Sequence, residues 1–529
     1  MKRNKTMIFL VLVLWAGAFF MTACGGGNGV DDGDGTPPPS APSAPTIEEI
    51  YSENRELAIL WDVVNNADTY NLYWNTTEGV TTSDSSVTSL LVPYYVHTGL
   101  SLFKTYSYAV TAVNAGGASG LSNEMSALAA GIPEELQKRI AADTQDSDYL
   151  GTSVAVSGDF AVAGAVGEDG TGTNQGAAYV FERNYNGTNN WGQVAKLVAS
   201  DAQDNNPIGI SVAIDGDYVV VGANMDDDTA SDSGAAYVFH RNFPSTDAWG
   251  EVAKLKASDA AVTDEFGWSV AISGDYVVVG ARLEDGGGSA RGAAYVFDRN
   301  WPTPNAWGEV KKLTASDAQD SDQFGYSVSI SGDNVVVGAC YEDGAGTSRG
   351  AAYVFNRNSP TPDNWGQVVK LTASNPENSA YFGHSVAVSG DFALVGARGE
   401  DVGGTNRGAI YVFDRNYPGT DDWGEVANLT ASDAQNGDEF GSSVAISGDY
   451  AIVGAYYEDG TGTSQGAAYV FGRNYGGADA WGEVMKLTAL DAQSDDWFGY
   501  SVAISGDYAV VGSLYEDGTG TNRGAIYIF

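Results

Sequence analysis

The chain has 529 residues, too many for one core, so several domains are expected. Its 26 Lys+Arg against 68 Asp+Glu give a formal charge of −42, which excludes nucleic acid and anionic membrane surfaces as partners and favours cation capture. Two cysteines, Cys24 and Cys340, stand in different segments and exclude a disulfide framework, while 68 glycines suit a fold with many tight turns.

Residues 1–24 read as an export signal. Lys2, Arg3 and Lys5 precede an apolar run, Met7–Met21, shorter than the about 20 residues of a membrane span. The run ends in Met21-Thr22-Ala23-Cys24. Small residues ahead of a cysteine resemble the lipobox of bacterial lipoproteins, with Met21 where Leu is usual. The resemblance implies that Cys24 is lipidated and becomes the mature N-terminus, anchoring the protein in a bacterial cell envelope. Gly25, where an Asp would signal retention at the inner membrane of enteric bacteria, implies the outer membrane, with a periplasmic or surface-exposed chain. An ordinary signal peptide or an anchor helix is the alternative. Residues 25–43, rich in Gly, Asp and Pro, read as a tether. The "DDGDG" within it lacks the other ligands of a calcium loop.

Residues 44–128 change pattern. "LAILWDVV", "TYNLYW", "TYSYAVTAVN" and "LSNEMSAL" are short strands separated by turn residues, the signature of a β-sandwich. The segment resembles a fibronectin type III domain. Trp61 takes the place of that family's core tryptophan, Leu100 and Tyr106 match its tyrosine corner, and "AVNAGGASGLSN" matches its last hairpin. The resemblance implies a spacer or docking module, and no Arg-Gly-Asp occurs in the chain. Residues 129–133 read as a linker.

From 134 to 529 one unit recurs. Its glycine falls at Gly151, Gly209, Gly267, Gly325, Gly383, Gly441 and Gly499, each 58 residues after the last. In the third unit the strands are "SVAISG", "YVVVGA", "GAAYVFDRN" and "WGEVKKLTAS". Several runs are continuously apolar, so both faces must be covered. Four-stranded sheets stacked around a ring satisfy that, whereas an open solenoid needs polar caps. The last unit reaches only "GAIYIF", Gly524–Phe529, and lacks a fourth strand. "EELQKRIAAD", Glu134–Asp143, aligns without a gap to "GQVAKLVASD" ahead of Gly209. Pairing Leu136–Ala142 with Gly524–Phe529 closes a ring of seven blades and removes two open edges. The expected fold is therefore all-β, a sandwich followed by a seven-bladed β-propeller closed by an N-terminal strand.

The "FG…VGA" units resemble FG-GAP repeats, the building blocks of integrin α-subunit propellers and of many bacterial surface proteins. The first two units depart from the motif with Leu150 and Ile208 for Phe. The Pro of "GAP" is replaced by Val166, Asn224, Arg282, Cys340, Arg398, Tyr456 and Leu514. In that family an Asp-x-Asp-x-Asp-Gly loop between the first two strands binds calcium. Here that connection is as short as Ser273-Gly274-Asp275, and the site is not carried over.

Acidity lies instead in the loop from second to third strand. Every unit has a pair there: Glu168-Asp169, Asp226-Asp227, Glu284-Asp285, Glu342-Asp343, Glu400-Asp401, Glu458-Asp459 and Glu516-Asp517. The loop entering each blade is acidic too and lies on the same rim. A carboxylate ring holding calcium is one reading, and Asp serving turns and solubility is the other. Trp191, Trp249, Trp307, Trp365, Trp423 and Trp481 also recur, one per blade, which favours stapling of the outer strand over sugar stacking. His97, His240 and His384 share no spacing with other ligands. No GxSxG, HExxH, P-loop or paired-cysteine motif occurs, and no unit's polar residues stand out, so no enzyme is expected. The reading is an adhesion or binding protein that offers its loop face to a protein partner, with Arg282, Arg398 and Tyr456 as contact residues. The alternative is a lectin-like propeller holding glycans between blades.

Overall fold

A computed structural model describes residues 39–53, 56–77, 79–98, 100, 104–129, 136–475 and 479–529. The leader with Cys24, most of the tether and most of the 129–133 linker lie outside the described residues. Two units form.

The first is a β-sandwich. β1 (Ile47–Glu53), β2 (Glu56–Trp61) and β5 (Tyr94–His97) make one sheet of order β1–β2–β5. β3 (Thr69–Asn75), β4 (Ser85–Leu90), β6 (Thr105–Asn114), β7 (Gly117–Ala118) and β8 (Met125–Leu128) make the other, of order β4–β3–β6–β7 with β8 on β6. Trp61 is buried edge-on against Tyr70, and Leu100 and Tyr106 are buried as well.

The second unit contains seven antiparallel four-stranded sheets. In blade one the strands run in sequence order: Leu150–Ser157, Phe160–Ala165, Ala177–Glu182 and Gly192–Leu197. The second and third strands are continuously apolar and buried on both faces. The fourth mixes polar and apolar residues and is only half-buried, as an outer edge requires. Blade seven has three strands of its own, the last being Ala525–Ile528, and its fourth is Gln137–Arg139. The register pairs Ile526 with Arg139, Tyr527 with Lys138 and Ile528 with Gln137, and the Leu136 N–H donates to the Ile528 carbonyl at 2.8 Å. The expected closing strand is present.

The core is a cycle of inter-blade layers. Val162, Val180 and Leu197 of blade one pack on Val219, Val221 and Tyr237 of blade two. Leu150, Ala163 and Tyr179 of blade one pack on Val510, Ile526 and Ile528 of blade seven. One hydrogen bond repeats across every joint. Ser153 Oγ donates to the Gly209 carbonyl, Ser269 to Gly325 and Ser385 to Gly441, until Ser501 donates to Gly151 at 2.7 Å and completes the circle. Blade joints are tight enough to require glycine. Gly267 has φ +93, and a Cβ there would lie 2.1 Å from the Ala235 carbonyl oxygen. The recurrent tryptophans are buried. Trp307 meets Tyr218 and Trp365 meets Tyr276, each ring belonging to the preceding blade, so they staple blade to blade. The arginine that ends the third strand lies over the same ring, as Arg299 does over Tyr218.

Candidate ligand-binding face

The loops entering each blade and those joining its second and third strands share one rim, as the blade order dictates. The two halves of each acidic pair do different things there. In blade one Glu168 turns inward and is 2% exposed. Lys196 Nζ donates to Glu168 Oε1 and Asp143 Oδ2, both at 2.6 Å, and the Tyr179 hydroxyl donates to Asp143 Oδ1 at 2.9 Å. The arrangement follows from sequence spacing. Asp143 sits in the entry loop, Glu168 after the second strand, Tyr179 on the third and Lys196 on the fourth, so the network ties all of these segments together. It recurs with Lys312, Lys370 and Lys486. In blade seven the closing strand supplies Lys138, 2.6 Å from both Asp491 and Glu516.

The neighbouring aspartates stay at the surface and shape their own loops. Asp169 Oδ1 accepts the Asn174 N–H at 3.0 Å and Asp227 accepts that of Asp232 at 2.8 Å. Asp285, Asp343, Asp401, Asp459 and Asp517 repeat the bond. Glu284, Glu342, Glu400, Glu458 and Glu516 are buried, like Glu168.

Among the described residues one trio of carboxylates converges enough to form a candidate metal site. Asp201, Asp226 and Asp228 of blade two bring one oxygen each within 4.8 Å of the others, consistent with a hard cation such as calcium. Asp226 belongs to the sequence-predicted pairs; Asp201 and Asp228 do not. The Lys254 ammonium already sits among them, 2.7 Å from Asp201 and 2.8 Å from Asp226, so a metal must displace it. Hydrogen bonds from Lys254 and Lys256 hold the Asp228 carboxyl down at about 2.

A second set of aspartates lies deeper. Burial pushes Asp148, Asp322, Asp438 and Asp496 up to about 6, and the neighbouring glutamate of the pair adds to the effect.

Inside the carboxylate rim, at the end of the ring of first strands, is a cluster that does not repeat. It draws on four positions per unit: before the Phe-Gly, after it, and the first and second residues after the "VGA". Arg282 stacks 3.4 Å over the Trp268 ring and pairs with Glu265 at 2.6 Å. Arg398 pairs with Glu439 at 2.7 Å and reaches the Tyr456 hydroxyl at 3.2 Å. That hydroxyl donates to Glu439 at 2.9 Å. Between the two arginines Tyr326 packs on Tyr341, and Tyr341 on Tyr381. Beyond them Tyr456 packs on Trp497, Trp497 on Tyr515 and Tyr515 on Tyr149. An aromatic arc thus runs from blade three round to blade one, most of its rings half-buried. His384 lies within it, bonded to the Tyr326 hydroxyl at 3.3 Å, and burial with the Arg398 charge holds its imidazole at about 3. Cys340 is fully buried, which pushes its thiol up and leaves it unreactive.

Arg282, Arg398 and Tyr456 therefore stand in one cluster, each already engaged with neighbouring side chains. Sequence reading missed the rings around them because it looked for polar residues that stood out from the repeat. The departures that matter are aromatic, and the readable signal was Trp268, Tyr326, His384 and Tyr500 where the other units carry Thr152, Ile210 and Ser442.

An FG-GAP repeat model matches residues 134–181, 191–239, 249–297, 307–355, 365–413, 423–471 and 481–529. No curated protein matches the chain. Among solved structures, an Fn3-like protein from Clostridium thermocellum is 26% identical over 16% of this chain and 92% of its own, with a TM-score of 0.14. A beta-1,2-glucanase from Parabacteroides distasonis is 23% identical over 18% of this chain and 14% of its own, with a TM-score of 0.15. Each of the seven matches takes the fourth strand of one blade and the first three strands of the next, together they span more than half of the sequence, and by them the chain belongs to the FG-GAP repeat family.

Proposed function

We propose that the protein is an exported, lipid-anchored binding protein whose propeller offers its loop face to a protein on or near a bacterial cell surface. The observation that carries this reading is the aromatic arc. A repeat that keeps its blade contacts uniform varies at the positions that ring one end of its inner strands. Trp, Tyr and Arg there are the side chains that dominate protein interfaces. The arc covers the blades from three round to one and stops short of blade two, which suits one asymmetric footprint.

The fibronectin-like sandwich acts as a spacer, and Cys24 carries the lipid. Among the described residues no helix is long and apolar enough to cross a membrane, and the anchor is assigned to the leader on sequence grounds. Lipid labelling tests it: a radiolabelled fatty acid incorporates into the wild-type chain and not into Cys24→Ala. The seven acidic pairs serve the loops and, in six of the blades, the lysine networks, and calcium is proposed for the blade-two trio alone. A melt with and without chelator reads that, and an unmoved midpoint removes the metal from the account.

Binding is tested by surface pull-down with the wild-type chain and with Trp497→Ala, a half-buried ring of the arc. The expected result is capture lost by tenfold or more in the variant, read at a temperature below the melting midpoint of both chains. Equal capture by both chains refutes the arc as the contact surface. The second reading, glycan binding, is favoured by the same half-buried rings, since sugar faces stack on Tyr and Trp. A glycan array distinguishes it: glycan signal that is lost in Trp497→Ala indicates a lectin, and silence leaves the protein partner.

A further inference from the structure

Six blades hold a lysine ammonium between a buried carboxylate, an entry-loop aspartate and a tyrosine ring. Blade five keeps the buried carboxylate, Glu400, and the tyrosine, Tyr411. It replaces the lysine with Asn428 and the entry-loop aspartate with Asn375. Glu400 is 1% exposed, and neither of its oxygens has a partner at hydrogen-bond geometry; the nearby Tyr411 hydroxyl, which acts to lower its carboxyl, makes no such bond either. In blades one, three, four, six and seven the matching glutamate oxygen lies 2.6 to 3.0 Å from a lysine Nζ. That Nζ also stands 5.4 to 5.6 Å from the centre of the tyrosine ring in those blades. Glu377, where most units have Gln, accepts the Asp401 N–H at 3.1 Å and sets a second negative charge beside Glu400. An isolated buried carboxylate is costly, and it is relieved by a proton or by a cation. Burial and Glu377 push the Glu400 carboxyl up to about 7, so near neutrality both routes are open.

We propose that blade five is a receptor for a primary ammonium group supplied from outside the blade. Glu400 accepts its hydrogen bonds, Asn428 and Glu377 flank it, and the Tyr411 ring lies beneath it. The site takes the cation that six sister sites hold internally, and it does not depend on the aromatic arc. The ammonium comes from a small amine or from a lysine side chain of another protein; the chemistry is the same.

The test is the thermal midpoint of the full chain at pH 8, in n-propylammonium chloride and in tetramethylammonium chloride at equal concentration. The second salt has the charge without the N–H donors. The expected result is a propylammonium midpoint about 1–2 °C above the tetramethylammonium one at tenfold over the dissociation constant. That difference disappears in Glu400→Gln and in Asn428→Lys, which supplies the ammonium internally and melts higher without added amine. Equal shifts by both salts in the wild type overturn the proposal, as does a propylammonium effect that survives both variants. A calcium chloride shift that exceeds the propylammonium one and is lost in Glu400→Gln also overturns it, in favour of a divalent site. A short lysine peptide, with its acetyl-lysine counterpart as control, separates the sources. Tenfold tighter binding than propylamine points to a protein lysine, and equal binding points to small amines.

Discussion

Single residues carry two jobs, and the repeat keeps them apart. Gly280 shows the structural one. A Cβ there would stand 2.1 Å from the Gly325 carbonyl oxygen of the next blade and 2.4 Å from Ser269 Oγ. Neither backbone can retreat without opening the joint, so Gly280→Ala is expected to destabilise by about 1–3 kcal/mol, read in a denaturant titration; an unchanged midpoint contradicts the tight joint. Arg282 and Arg398 show the other job, since they vary from unit to unit while the glycines beside them do not. The regular glycines and acidic pairs were legible because each recurs at 58 residues. That Glu168 turns inward while Asp169 stays outside was not, because adjacent loop residues diverge only once the chain is folded. The lysine on the fourth strand was the missing clue: it recurs in every blade but the fifth, where both it and the entry-loop aspartate are gone.

At the scale of elements, the fourth strand is what each blade shares with its loops. Lys138 brings this to the closing strand, where it neutralises Glu516, 2% exposed, and Asp491. Lys138→Met removes the cation and leaves a buried carboxylate. It is expected to cost about 1–3 kcal/mol in a chemical melt, and Glu516→Gln in the same chain is expected to recover much of it. No recovery would mean that the pair is not the source of the loss. The strands themselves were legible. Continuous apolar runs such as "YVVVGA" have both faces buried, and "GEVKKL", with its Glu and two Lys, is half-buried as an outer strand is. The bends were not. The first strand of blade three slips register between Phe266 and Ser269, and the third-to-fourth pairing slips between Val296 and Phe297. Such bulges leave no composition signal, because they depend on the neighbouring strand.

Over the whole molecule the charge of −42 and the buried aspartates act in the same direction. Asp148, Asp322, Asp438 and Asp496 hold protons up to about pH 6 when folded, whereas unfolded aspartates release them near pH 3.9. Stability from these groups is therefore full below about pH 4 and is lost as pH rises through about 6. The lysine-paired aspartates Asp143, Asp259, Asp317, Asp433 and Asp491, held low despite their burial by those lysines, act oppositely and only below about pH 4. The chain is expected to melt higher at pH 5.5 than at pH 7.5. Asp322→Asn should raise the midpoint at pH 7.5 and shrink the difference; a chain that melts lower at pH 5.5 contradicts this assignment.

Ring closure places the rim and the arc on one surface, and amide hydrogen exchange across residues 136–142 tests it most directly. The account predicts strong protection at 137–139 in the full chain, comparable to the fourth strands of other blades, and its loss when the chain is ended at Arg523. Exchange at unprotected rates in the full chain, or protection that survives the truncation, would contradict the closed propeller.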